Sequence, residues 1–217
     1  MSTVETQHPK VTSRERQAGF TIVELMVATL IFSFVLVIIT IGVLYFSKSY
    51  YTGLNRSRTQ NTARNIVGTI SQAIQFTGTT IATTADTGAE YFCAGGRIYA
   101  FKSGVKYLGG AATATNPGLY SAPQSSGCAA LAAGGYNNAQ GQQLLSPGMR
   151  IAYLSVTKIG TQLYTINLTL LYGDDDLLSA TTGAGAHCLS QTGSQYCASS
   201  VLTSTVEERL QGSQLSG

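Results

Sequence analysis

From Leu25 to Ser47 the chain runs for 23 residues without a charge. Leu30, Ile31, Phe32, Phe34, Val35, Leu36, Val37, Ile38 and Ile39 crowd its middle. About 20 apolar residues in a helix cross the hydrocarbon core of a bilayer, so the run predicts one membrane-crossing helix. It is too long for a secretory signal, whose apolar stretch is about 7–15 residues before small cleavage-site residues. Tyr45-Phe46-Ser47-Lys48 closes it instead, so the segment is expected to remain as an anchor.

One acid, Glu24, stands at the mouth of this run. A carboxylate at the centre of a membrane helix costs about 2.5–3.5 kcal/mol even on insertion scales. Glu24 therefore either sits at the interface with its side chain among the headgroups, or it has a cationic partner. A new N-terminal amine would supply that partner if the chain were cut just before Phe20.

Lys10, Arg14 and Arg16 precede the run, and Lys48, Arg56, Arg58 and Arg64 follow it, so the positive-inside rule does not orient it. The cysteines do. Cys93, Cys128, Cys188 and Cys197 all lie after the run, and disulfides belong to oxidising compartments, so that side is expected outside. Four cysteines allow three pairings. Cys93–Cys128 with Cys188–Cys197 is preferred because each closes a local Gly/Ser-rich loop. Charged residues make up only 11% of the chain, well under the roughly 25% of soluble domains. The net charge of +3 is too small to argue for nucleic acid as a partner.

Gly19, Phe20, Glu24 and the apolar run behind them, read together as GFTIVELMVA over 19–28, resemble the N-terminal cleavage and methylation motif of the type IV pilin and type II secretion pseudopilin family. The resemblance implies a leader at 1–19, removed by a prepilin peptidase that cuts after Gly19 and N-methylates Phe20. It implies that Glu24 of an incoming subunit faces the Phe20 amine of a neighbour, making Glu24 an assembly residue. A buried carboxylate is tolerable when so paired. The implied partners are the peptidase, other subunits, the membrane and the inner-membrane assembly machinery, with a surface ligand or DNA reached through the filament. The implied location is the cytoplasmic membrane, single-pass with the head outside, then a periplasmic or cell-surface filament.

The helix is expected to continue past the membrane. Segment 20–47 reads as its membrane or filament-core half and 48–76 as an amphipathic second half. Ala63, Ile66, Val67, Ile70, Ala73 and Ile74 recur at three- and four-residue spacing, one face of a helix. Arg56, Arg58 and Arg64 point largely elsewhere, as a solvated face, headgroup contacts or intersubunit pairs. Gly42, Gly53 and Gly68 weaken the helix, each by about 1 kcal/mol against Ala. Thr77-Gly78-Thr79-Thr80 marks its end.

Residues 77–217 read as an extracytoplasmic β-rich head. A hairpin is expected in Arg97–Leu108 about Ser103-Gly104, with strands at Met149–Val156, Leu163–Tyr172 and Val201–Leu210. The Gly- and Ala-rich stretch from Gly109 to Gln143 reads as a long surface excursion. The expected class is α+β: a long N-terminal helix on an antiparallel sheet with disulfide-closed loops, an order of elements similar to pilins. Leu170–Leu178 and Tyr196–Leu210 resemble the corresponding segments of minor pilins of the PilW/PulJ kind.

No residue set suggests catalysis. His187 adjoins Cys188, but a disulfide there removes any nucleophilic thiol, and the spacing to Cys197 is not that of a zinc site. Asp174-Asp175-Asp176 lacks the pattern of a calcium loop and reads as an acidic turn. Tyr50 and Tyr51 are expected as interfacial membrane anchors. No cofactor or metal is implied. Two functions from different classes remain: a structural filament subunit, minor pilin or pseudopilin, and an uncleaved single-pass protein with an extracytoplasmic binding or adhesion head.

Overall fold

The computed structural model describes residues 19–77, 84–86, 89–113, 115–124 and 141–209. The chain divides into two compact units at Phe46/Ser47. Helix α1 (Ile22–Thr77) supplies the described helical residues of the first unit and continues into the second.

In the first unit every described side chain is exposed, including Phe20 at 83% and Leu36 at 46%. This helix is long and apolar enough to cross a membrane. An apolar helix bare on all sides cannot bury its surface alone; it requires lipid or other protein around it.

The second unit packs the later part of α1 against two antiparallel sheets. The first has strands in sequence order: β1 (Thr84–Asp86), β2 (Ala89–Ala94), β3 (Arg97–Phe101), β4 (Leu119–Pro123) and β5 (Gln142–Gln143). The second is a meander of β6 (Met149–Ile159), β7 (Leu163–Tyr172) and β8 (Ala198–Glu207). Ile66, Ile70 and Ile74 of α1 share one core with Phe92, Tyr99, Phe101 and Leu119 of the first sheet. Ile151, Leu154, Val156, Ile166, Leu168 and Leu170 of the second sheet complete that core. In β7 simple alternation sends Ile166, Leu168 and Leu170 to the helix side. In β6 a register shift between Ile151 and Tyr153 lets Ile151 share that side with Leu154 and Val156.

The helical stripe read from the sequence is the buried one: Ala63, Ile66, Ile70 and Ile74 are fully enclosed. Asn55 and Thr59 extend the same face with polar side chains, both buried. Thr59 satisfies its hydroxyl on the Asn55 carbonyl at 2.8 Å. Arg56, Arg58 and Arg64 are exposed. Gly42, Gly53 and Gly68 do not interrupt the helix.

Two expectations for the head are corrected. Arg97–Leu108 is not a hairpin. Its first half is β3, whose two edges are taken by β2 and β4, so the chain beyond Ser103-Gly104 has no edge to return to. It bonds the second sheet instead: the Gly104 amide donates to Ile151 and the Tyr107 amide to Met149, both at 2.8 Å. The actual hairpin is β2–β3, turned at Gly95-Gly96 with φ of 64° and 67°. Two successive positive φ values define the tight turn that matches strand twist. Nor is Gly109–Gln143 wholly a surface excursion, because it contributes β4, with Leu119 and Tyr120 buried. Residues 125–140 lie outside the described residues.

Gly95 is also a packing position. A Cβ there would lie 2.8 Å from the Ala73 Cβ and 2.9 Å from the Ala73 backbone. Gly95→Ala is expected to destabilise the head by about 2–4 kcal/mol, adding left-handed strain to a clash with α1. Denaturant unfolding of the detergent-solubilised chain measures this. A change under about 0.5 kcal/mol, the usual range for a surface site, would contradict the packing of this turn on the helix.

Candidate processing and assembly site

The start of α1 is built from Thr21 and Glu24. Thr21 is the last residue before the helix. Its hydroxyl accepts from the Glu24 amide at 3.2 Å, and Glu24 Oε2 accepts from the Thr21 amide at a long 3.5 Å. This reciprocal pair is a capping box, Thr-x-x-Glu, which satisfies amides that no helical carbonyl can reach. The negative carboxylate also lies at the positive end of the helix dipole. The sequence carried the signal in Thr21-Ile22-Val23-Glu24, a cap pattern just before an apolar run, and the reading of Glu24 as interfacial or paired passed over it.

Before the helix, Gly19 and Phe20 are exposed and outside any regular element. Nothing lies within 4 Å of where a Gly19 side chain would begin, and its φ is not in the left-handed region. The local fold therefore gives no reason for glycine at this position. Residues 1–18, with the basic residues of the leader, lie outside the described residues.

In the head, Cys188 and Cys197 are joined, with Cα atoms 5.9 Å apart. Cys93 is buried and disulfide-bonded; Cys128, its expected partner, lies outside the described residues. The loop closed by Cys188–Cys197 docks on α1. The Tyr196 ring lies 5.9 Å from that of Tyr51, and Asn55 Nδ2 donates to the Gln195 carbonyl at 3.0 Å. Tyr51, expected as a headgroup anchor, thus has a protein contact.

The acidic turn follows β7 as a short 3-10 helix, Asp175–Leu177. Asp174 pairs with Lys106 and Asp175 with Arg150. The hydrogen bond from Lys106, then its charge, holds the Asp174 carboxyl below the usual carboxylate range. Arg150 is 1% exposed and donates to the carbonyls of Gly173 at 2.9 Å and Gly104 at 3.3 Å. It ties the β7 end to the segment that follows β3. The sequence reading passed over it, although it is the one charge in the apolar run MRIAYLSV.

His187 is exposed, its Nδ1 between Ser179 Oγ at 3.1 Å and the Gly185 carbonyl at 2.9 Å. Among the described residues no group of three or more His, Cys, Asp or Glu side chains is placed to hold a metal.

Residues 14–40 match the family described as the prokaryotic N-terminal methylation motif. No curated protein and no solved structure matches the chain. The match covers Gly19, Phe20, the Thr21–Glu24 cap and most of the bare apolar helix, as far as residue 40. The chain thus carries a prokaryotic N-terminal methylation motif at the head of a long apolar helix, followed by an antiparallel β-rich unit, an arrangement similar to that of type IV pilins and pseudopilins.

Proposed function

We propose that this protein is a minor subunit of a type IV pilus or of a type II secretion-like filament. It is cut after Gly19, N-methylated at Phe20 and assembled through the first half of α1. The observation that carries the reading is the pairing of a prepilin-type N terminus with an apolar helix that finds no cover among the described residues. In the membrane that cover is lipid; in a filament it is the helices of other subunits. Glu24, released from solvent in the filament core, offsets the methylated amine of a neighbouring Phe20, and each charge makes the burial of the other tolerable. The head lies outside the cytoplasmic membrane, where its disulfides persist. Its role is structural rather than catalytic. A glycine that the local backbone does not require fits recognition by the peptidase.

Gly19→Val tests the cut. The variant is expected to keep its leader, so its mass rises by that of residues 1–19 plus the side-chain difference and less the N-methyl group, and it is absent from sheared filaments. A variant of normal mature mass would place the cut elsewhere.

A further inference from the structure

The part of α1 from Ser47 to Thr77 carries Lys48, Arg56, Arg58 and Arg64 and no Asp or Glu. The three arginines are exposed, and among the described residues none has an acidic partner. Lipid headgroups are the first candidate for such a face. At 1.5 Å per residue, Arg56 lies about 14 Å and Arg58 about 17 Å along the helix from Ser47, where the charge-free run ends. The interfacial layer beyond the hydrocarbon is only about 5–8 Å thick on each side. Lys48 falls within it; Arg56 and Arg58 lie beyond it.

Opposite charge is available on the head. The head has two runs of acids, Asp174–Asp176 and Glu207-Glu208. The second lies beside the far end of α1, where the Arg209 amide donates to the Gln75 carbonyl. The three aspartates are exposed, and Asp176 has no side-chain partner among the described residues. The turn is tied to the part of α1 around Asn55. Gln191 donates to the Asp176 carbonyl, Cys188–Cys197 closes the loop, and Asn55 of α1 holds Gln195. Turn and arginines thus belong to one end of the head, yet within one chain no α1 arginine pairs with the turn.

We propose that the Arg56/Arg58 face of α1 docks a second copy of this chain through that copy's Asp174–Asp176 turn. The docking rests on the filament reading for its setting but not for its chemistry. Arg56 and Arg58 offer planar donor forks, which suit carboxylates better than lysine does. Asp176 supplies an unpaired carboxylate, and Asp174 and Asp175 add negative potential around it.

The test is a charge swap in the full chain. Arg56→Glu with Arg58→Glu is expected to cut incorporation into sheared filaments roughly ten-fold, since each attraction becomes a repulsion. Asp176→Arg is expected to do the same. Both changes in one chain are expected to restore incorporation to within about three-fold, as contacting residues couple. Losses without restoration would overturn the pairing, as would no loss from either change. A second readout does not need filaments. Arg58→Cys with Asp176→Cys is expected to give a covalent homodimer on mild oxidation of isolated membranes. No dimer, or a link to a different chain, would overturn the proposal. A dimer in cells whose wild-type protein never enters filaments would uphold the docking and refute the filament reading.

Discussion

Glu24→Gln is expected to keep the protein in the membrane with its helix start intact, and to remove it from filaments. Glutamine serves at the third helical position of a capping box as glutamate does, so the bond to the Thr21 amide survives. What disappears is the negative charge. If Glu24 matters only as a cap, glutamine is close to neutral and alanine costs about 0.5–2 kcal/mol at the helix end. If Glu24 neutralises a neighbour's N-methylated amine, glutamine leaves that cation unpaired in low dielectric. Breaking a buried pair in this way costs about 3–5 kcal/mol, a hundred-fold or more in assembly. Immunoblots of sheared filaments against membrane fractions separate the two. Near-normal incorporation of Glu24→Gln would reduce Glu24 to its local role.

The second large effect is expected at Arg150. Arg150→Ala should lower stability by about 2–4 kcal/mol, through the cavity left by a long enclosed side chain and the loss of its bonds to two carbonyls. For a unit spanning Ser47–Gly217 this corresponds to a fall of about 5–12 °C in the melting temperature. Asp175→Asn should cost well under 1 kcal/mol, because Asp175 is 72% exposed and exposed ion-pair partners contribute little. The asymmetry is the informative part. Equal losses would mean that the charge pair holds this corner; a loss confined to Arg150 means that the carbonyl clamp does. Calorimetry of the two detergent-solubilised variants decides it.

What the sequence made legible follows from the length and regularity of its patterns. The apolar run and the 63–74 stripe continue for several turns, enough to establish α1 and its buried face. β7 alternates and matches its expected bounds, Leu163–Tyr172; β6, expected at Met149–Val156, runs on to Ile159. β2 and β4 are not legible, because each is short and lies beside weak signals. β2 ends in Gly95-Gly96, a turn that only two positive φ values reveal. β4 is five residues ending in Pro123, embedded in Gly- and Ala-rich chain. The error over Arg97–Leu108 has a tertiary cause: local apolar character on both sides of a turn does not show that β2 and β4 already occupy both edges of β3.

The candidate site shows the same division. Gly19, Phe20 and Glu24 stand out as a linear motif because all three fall within six residues of chain, just before an apolar run. The cap made by Thr21 is equally linear, but it shows only when Glu24 is considered as a hydrogen-bond acceptor as well as a charge. Arg150, Asn55 and the docking of Tyr196 on Tyr51 depend on residues about 140 apart or on sheet register, which no local pattern carries.

The most direct test of the central claim is the N-terminal residue of the native protein, extracted from membranes with an active prepilin peptidase and read by mass spectrometry. The account predicts N-methyl-phenylalanine at Phe20. A chain still beginning at Met1 would leave Glu24 without an amine to pair and would contradict assembly, favouring an uncut membrane-anchored binding head.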